Sequence, residues 1–378
     1  MVEAGSKYET KDISGLSHFL EHMCFKGTTK RPKAIDISSK LDSIGAQYNA
    51  FTSQEYTGYY AKSHPSHIDT TLDIISDMYL NPIFDEREIE KEKGVIVEEI
   101  NMYEDMPHRH VQDLFCELLY GDQPAGWNVA GTKEIVTSMK RDHFVDYRAK
   151  HYVAAGTVVV VAGNMDEEKV IEKISSLFTI STTQKHTKIP VVETQEKPAL
   201  YIKHKKTDQV HLVLGVRAFG VHHPDASILC VLNAVLGGGM SSRLFQKLRD
   251  EMGVGYYVRS NIDDLTDHGS LIVSTGVDTT RVSEVVVAIL EECKKLRNVR
   301  VSDTELQKAK EYLIGSMYLN LETSDALAGF YGTQAIVRET LKTPEELKEK
   351  IQAVSADDII RVAQSIFVDA GLNLAVIG

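Results

Sequence analysis

Apolar residues recur along this chain with two alternating periods. A period near 3.6 from Asp12 to His22 predicts a helix, ending in Lys26-Gly27-Thr28. Ala34 to Ile44 reads as a second helix, with Gly45 as its C-cap. Gln47 to Ala61 carries Tyr, Phe and Thr at strand density and is expected to be extended. Helices are expected over Ile68 to Leu80, over Asp85 to Met102 with an apolar stripe on a charged background, and over Asp142 to Tyr152. Thr157 to Gly163, with its Val run, is expected to be a buried strand. The polar stretch from Ile180 to Pro198 has no clear period, contains Pro190 and Pro198, and reads as a linker.

Late in the chain the pattern repeats. The block from Asp142 to Gly163 aligns without a gap with Asp357 to Gly378, at an offset of 215. Glu88-Ile89 with Lys91 and Lys93 resembles Glu305-Leu306 with Lys308 and Lys310, at an offset of 217. A near-constant offset over two separate stretches favours duplication of one α+β unit over coincidence. The expected architecture is therefore α+β. Two homologous domains each carry a mostly antiparallel sheet with helices packed on one face, and together they are expected to enclose a cleft or chamber. The boundaries read as residues 1–180, a linker at 181–198, and 199–378.

Composition narrows the class. The chain has 378 residues, 43% of them hydrophobic, and a formal net charge of −12. The acidic balance argues against a nucleic-acid partner, which selects a basic face. No apolar run approaches the ~20 residues that span a bilayer. No signal peptide is visible at the start. Cys24, Cys116, Cys230 and Cys293 are far apart in sequence, so free and mostly buried thiols in a reducing, cytoplasmic setting are expected. Chemistry begins early: Met1 to Tyr8 reads as the end of a strand, and upstream sequence is expected to be missing.

The candidate chemistry is His18-Phe19-Leu20-Glu21-His22. Two histidines four apart on a helix share one face, so two imidazoles can reach one metal ion. Glu21 is rotated off that pair and would sit beside the metal, where a general base for a water molecule is needed. The plain alternative is a helix with two surface histidines. A catalytic zinc site wants a third protein ligand and an open position. The long helix offers Glu92, Glu98 and Glu99, of which Glu92 and Glu99 lie seven apart on one face. One can ligate while the other holds a ligand histidine by its far nitrogen.

These residues resemble the pitrilysin and insulinase family of inverted-motif zinc peptidases. The resemblance covers nearly the whole chain and is nearest to the short, two-domain branch, which includes bacterial processing proteases and the catalytic subunit of mitochondrial processing peptidase. It implies that the third ligand is Glu99, after 76 intervening residues from His22, and that Glu92 supports a ligand histidine. Gly45-Ala-Gln-Tyr-Asn-Ala-Phe-Thr52 resembles the family's substrate-side edge strand, which makes Asn49, Ala50, Phe51 and Thr52 substrate-binding candidates. The segment from Gly237 to Arg249, followed by Tyr256, resembles one in which an Arg and a Tyr seven residues apart reach the substrate. Arg249 and Tyr256 are thus implied to steady an oxyanion or to fix a substrate carbonyl. Within that branch, mitochondrial processing peptidase reads an arginine near the cut with acidic residues a short way beyond the third ligand. Here only Asp113 in His108-Arg-His-Val-Gln-Asp113 is acidic, so a strict arginine requirement is not expected.

At the repeat offset Glu92 and Glu99 correspond to Ala309 and Ser316, so one zinc ion per chain is expected, on the first half only. The expected activity is a metalloendopeptidase that takes peptides or unfolded, presequence-like segments as an added strand, as a homodimer. The alternative is a non-catalytic or partner-dependent subunit of a processing complex. His108 and His110 after Pro107, and His222 and His223 before Pro224, read as exposed loops. Tyr56, Tyr59 and Tyr60 read as core or cleft lining.

Overall fold

Gly15 breaks the first predicted helix. A single 3-10 turn covers Lys11–Ile13, and the α-helix proper, α1, is Leu16–Cys24. Gly15 adopts φ of +94°, and a Cβ there would lie 2.5 Å from the Ala130 carbonyl oxygen. Only glycine meets both conditions. The buried Glu9 carboxylate caps the helix instead of a local side chain, accepting the N–H groups of Gly15 at 2.7 Å and Ser17 at 2.6 Å.

The structure, a computed structural model, describes residues 1–180, 184–255, 257–338 and 340–378. After α1 come α2 (Ala34–Asp42), β1 (Gln47–Thr52), β2 (Thr57–Lys62), α3 (Ile68–Leu80), α4 (Glu86–Glu104) and α5 (Pro107–Tyr120). Next are α6 (Lys133–Ser138), α7 (Arg141–His151), α8 (Glu167–Leu177), β3 (Ala199–Lys203), β4 (Val210–Ala218) and α9 (Ala226–Gly237). A π-helical turn (Phe245–Glu251) leads to β5 (Val258–Asp264), β6 (Gly269–Val277), α10 (Val282–Asn298) and α11 (Asp303–Asn320). The chain closes with α12 (Ser324–Val337), α13 (Pro344–Ala353), α14 (Ala356–Ile366) and β7 (Asn373–Ile377). Shifted by 215, the ends of α7 fall on the ends of α14, and the 3-10 turn at Ala154–Gly156 falls on the one at Asp369–Gly371. Among the described residues, no helix is long and apolar enough to cross a membrane.

Two compact units result. The first comprises residues 1–102, 127–189 and 323–336, and the second comprises 103–126, 190–322 and 337–378. In the first, α1 buries Leu16, Phe19, Leu20 and Met23 against Ile89, Ile96 and Ile100 of α4 and Phe144 and Tyr147 of α7. Burial of each such side chain is worth about 1.5–3 kcal/mol, enough to fix the faces that α1 and α4 turn to one another. The expected extended stretch is a hairpin: β1 pairs antiparallel with β2, from Gln47 opposite Lys62 to Thr52 opposite Thr57.

The second unit holds a five-stranded sheet in the order β3-β7-β4-β6-β5. It is antiparallel except for the β3–β7 pair. Leu212, Leu214 and Val216 of β4 enter one core with α9, α10 and α14, whereas Val213 faces Val111, Leu114 and Phe115 of α5. Alternating apolar residues thus cover both faces of the sheet.

Two expectations are corrected. Thr157 to Gly163 does not form a strand: Thr157 makes an isolated bridge to Val2, and Val158 exchanges hydrogen bonds with Met1. A strand needs a ladder, and among the described residues the backbone of 159–163 meets no such partner. The loop expected around His108 and His110 is the first turn of α5, with Pro107 at its start. His110 is buried, 2.7 Å from Lys203 Nζ through Nε2.

Candidate metal centre

The apolar packing of α1 and α4 decides what lies beside it. Glu92 and Glu99 each follow a buried isoleucine, Ile89 and Ile96, by three positions, so they border the stripe that faces α1. On α1, His18 and His22 occupy the matching border. Glu99 Oε2 lies 3.6 Å from His18 Nε2 and 3.6 Å from His22 Nε2. One ligand atom from each of the three residues falls within 4.8 Å of the other two. Among the described residues this is the one such group of three or more metal-binding side chains.

The spacing can be tested against a metal. Two ligands bound at ~2.1 Å in tetrahedral geometry stand about 3.4 Å apart. The observed 3.6 Å contacts are close to that edge length. A ligand imidazole must also be unprotonated. Burial, with His22 adding to it, lowers the His18 pKa to about 3, so His18 is neutral. His22 Nδ1 is 2.9 Å from Glu92 Oε1, which sets Nδ1 as the protonated nitrogen and turns Nε2 toward Glu99. Glu92 is itself buried, and its other oxygen takes the Lys26 ammonium at 2.6 Å. Burial opposes its charge, but His22 and Lys26 outweigh burial and hold its pKa low. The residues therefore fit one divalent cation with N and O ligands.

Glu21 is 9% exposed and stands outside the His18, His22 and Glu99 triangle. Burial raises its pKa, partly offset by the Thr52 hydroxyl, which donates to Oε2 at 2.5 Å. A carboxylate with raised proton affinity suits proton abstraction near neutral pH.

The remaining candidates are less tightly gathered. Thr52 ends β1, so the base is tied to the hairpin; Asn49 and Phe51 are exposed, and Ala50 is half-buried. The edge of β1 away from β2 carries no ladder partner among the described residues. Tyr59 is buried and Tyr60 is exposed beside Phe51. Arg249 sits in the second unit on the π-helical turn, exposed, with its guanidinium over the Phe245 ring. Tyr256 lies outside the described residues. Asp113 lies on α5, 3.9 Å from His110 Nδ1. Glu98 Oε1 accepts a long hydrogen bond, 3.5 Å, from Asn101 Nδ2 three residues on.

Sequence reasoning missed Lys26, although it stands four after His22, and it missed the bond from Thr52 to Glu21. The first joins residues 66 apart and lies beyond the end of α1, so its spacing from His22 carried no signal. The second joins residues 31 apart and had none.

Comparison with known proteins adds the context. The insulinase pattern (peptidase family M16) matches residues 1–133, and the pattern of the peptidase M16 inactive domain matches residues 138–313. An uncharacterized zinc protease of Bacillus subtilis, YmxG, is 36% identical over 97% of this chain and 89% of its own length. An uncharacterized zinc protease of Streptomyces coelicolor is 33% identical over 97% of this chain and 81% of its own. Among solved structures, a protease from Helicobacter pylori superposes with a TM-score of 0.91 at 23% identity, covering all of this chain and 92% of that one. A peptidase M16 inactive domain from Pseudomonas fluorescens gives 0.90 at 16% identity, covering all of this chain and 91% of that one.

Proposed function

This chain belongs to the insulinase family of peptidases, M16, and on that premise we propose that it is a zinc-dependent endopeptidase with His18, His22 and Glu99 as ligands and Glu21 as base. What supports this most is the 3.6 Å approach of Glu99 to both imidazoles, with a buried carboxylate alongside. A zinc ion held there supplies a Lewis acid that brings the pKa of a water down toward ~7. Glu21 takes the proton from the attacking water and later delivers it to the leaving amine. Glu92 keeps His22 in the tautomer and orientation that leave Nε2 free to ligate. Backbone groups of Asn49, Ala50, Phe51 and Thr52 pair with an extended peptide, which reads conformation more than sequence. Arg249 and Tyr256 steady the developing oxyanion. One zinc per chain, a homodimer and a cytoplasmic setting complete the reading, the last favoured by four cysteines that form no disulfide.

The test is cleavage of a mixed peptide library read by mass spectrometry, with and without a chelator, for wild type and Glu21→Gln. Cleavage should stop on chelation and return with zinc. Glu21→Gln should bind one zinc per chain and cleave nothing; retained cleavage in that variant overturns the reading.

A further inference from the structure

Glu92 has two carboxylate oxygens, and each is committed to a different partner. Oε1 faces His22 Nδ1 at 2.9 Å and Oε2 faces Lys26 Nζ at 2.6 Å. We infer that Lys26 is a positioning residue of the metal centre, fixing the Glu92 carboxylate so that one defined oxygen is left to hold His22. This rests on the reading of His18, His22 and Glu99 as zinc ligands.

Two observations separate this ion pair from the ordinary ones on the same helix. Lys91 pairs with Glu88 and Lys93 with Glu90, three apart, and in each pair one side chain is about 70% exposed. Pairs of that kind constrain little. The Glu92 side chain is 6% exposed and Lys26 lies two residues beyond α1, so the pair ties the turn after α1 to α4. The backbone beneath Lys26 is also fixed. Its N–H donates to the Met23 carbonyl at 3.1 Å, and the following Gly27 turns at φ of +136°, where a Cβ would stand 2.4 Å from the Pro32 carbonyl oxygen. The ammonium is therefore presented from a tight turn rather than from a wandering surface chain.

Two effects of removing Lys26 oppose each other. Loss of a nearby positive charge would make the Glu92–His22 pair a stronger donor and tighten metal binding. Loss of the anchor leaves a buried carboxylate free to rotate away from His22 and loosens it. A carboxylate with so little solvent access has few other partners to keep it in place, so the second effect dominates.

The experiment is zinc transfer to a chromophoric chelator, together with the visible spectrum of the Co(II)-loaded protein. Wild type, Lys26→Met, Lys26→Arg, Glu92→Gln and the Lys26→Met/Glu92→Gln double variant are compared. Outer partners of metal ligands are worth ~10–100-fold in metal affinity. Lys26→Met is expected to lose zinc about 10-fold more readily and to shift the Co(II) spectrum in the same sense as Glu92→Gln. Lys26→Arg is expected to recover most of the retention. The double variant should match Glu92→Gln alone, because Lys26 acts through Glu92. If Lys26→Met does not fold, Lys26→Gln serves in the same comparison. Unchanged retention and spectrum in the Lys26 variant, tighter zinc, or additive losses in the double variant each overturn the inference. A wild-type chain that holds no zinc overturns the zinc reading itself, and this inference with it.

Discussion

The hydroxyl of Thr52 donates a hydrogen bond to Oε2 of Glu21 at 2.5 Å, joining the end of a β-strand to a buried carboxylate beside two histidines. Thr52 Oγ1 also lies 3.3 Å from the Thr57 hydroxyl, which donates to the Ala4 carbonyl, so the carboxylate is referenced to the hairpin and to the first residues of the chain.

Thr52→Val should therefore impair turnover more than binding. A hydrogen bond to a charged group is worth about 1.5–3 kcal/mol, so kcat should fall by ~10-fold or more with KM little changed. Thr52→Ser, which keeps the hydroxyl, should restore most of it. Steady-state kinetics on one peptide decides, and a loss confined to KM would assign Thr52 to substrate contact alone.

Glu99→Ala leaves two imidazoles without their oxygen partner. Wild type is expected to retain one zinc through dialysis, whereas the variant should lose it, as metal analysis would report. Metal at 100-fold above its dissociation constant stabilises a fold by about 2.7 kcal/mol, so the zinc-dependent rise in Tm should vanish in the variant. An equal rise in both would rule out Glu99 as a ligand.

Gly15→Ala tests the entry to α1. A side chain at left-handed φ costs about 1–2 kcal/mol, and here the new Cβ would also meet the Ala130 carbonyl oxygen at 2.5 Å. A loss of more than ~2 kcal/mol in urea unfolding is expected, with weaker metal retention because α1 carries both histidines. Wild-type stability in this variant would mean that the backbone relaxes freely at that point.

His151 supplies a pH dependence away from the metal. It is 4% exposed, packed against the rings of Tyr8, Tyr147 and His186, and its Nδ1 is buried without a hydrogen-bond partner among the described residues. Burial first, then Lys150 and His186, lowers its pKa from 6.5 to about 4. The unfolded chain takes up the proton from pH 6.5 downward and the folded chain resists it, so the stability present above 6.5 is lost as pH falls toward 4. The shift corresponds to roughly 3 kcal/mol over that window. With chelator present throughout, His151→Phe should show a shallower decline than wild type. Parallel curves would remove His151 from the acid response.

Much of this was legible locally. The helical period around His18 and His22 and the seven-residue interval between Glu92 and Glu99 are properties of single helices, and so are the faces they define. The repeat at an offset of 215 is likewise carried by sequence alone, and α7 and α14 share their ends at that offset. The bond from Thr52 to Glu21, the pairing of Lys26 with Glu92, and the capping of α1 by Glu9 were not legible, because each depends on which elements pack together.

The repeat shows where the boundary lies. Val158 to Gly163 and Asn373 to Gly378 occupy equivalent places in the repeat, yet among the described residues only the second becomes a strand, between β3 and β4. By itself the sequence determined helix faces, the duplication and the residue types able to bind a metal, since these follow from side-chain periodicity along one element. Tertiary structure alone decided which copy of the repeat ends in a strand and the meeting of His18, His22 and Glu99. A ladder hydrogen bond, like a shared ion, needs a partner that the local chain cannot supply.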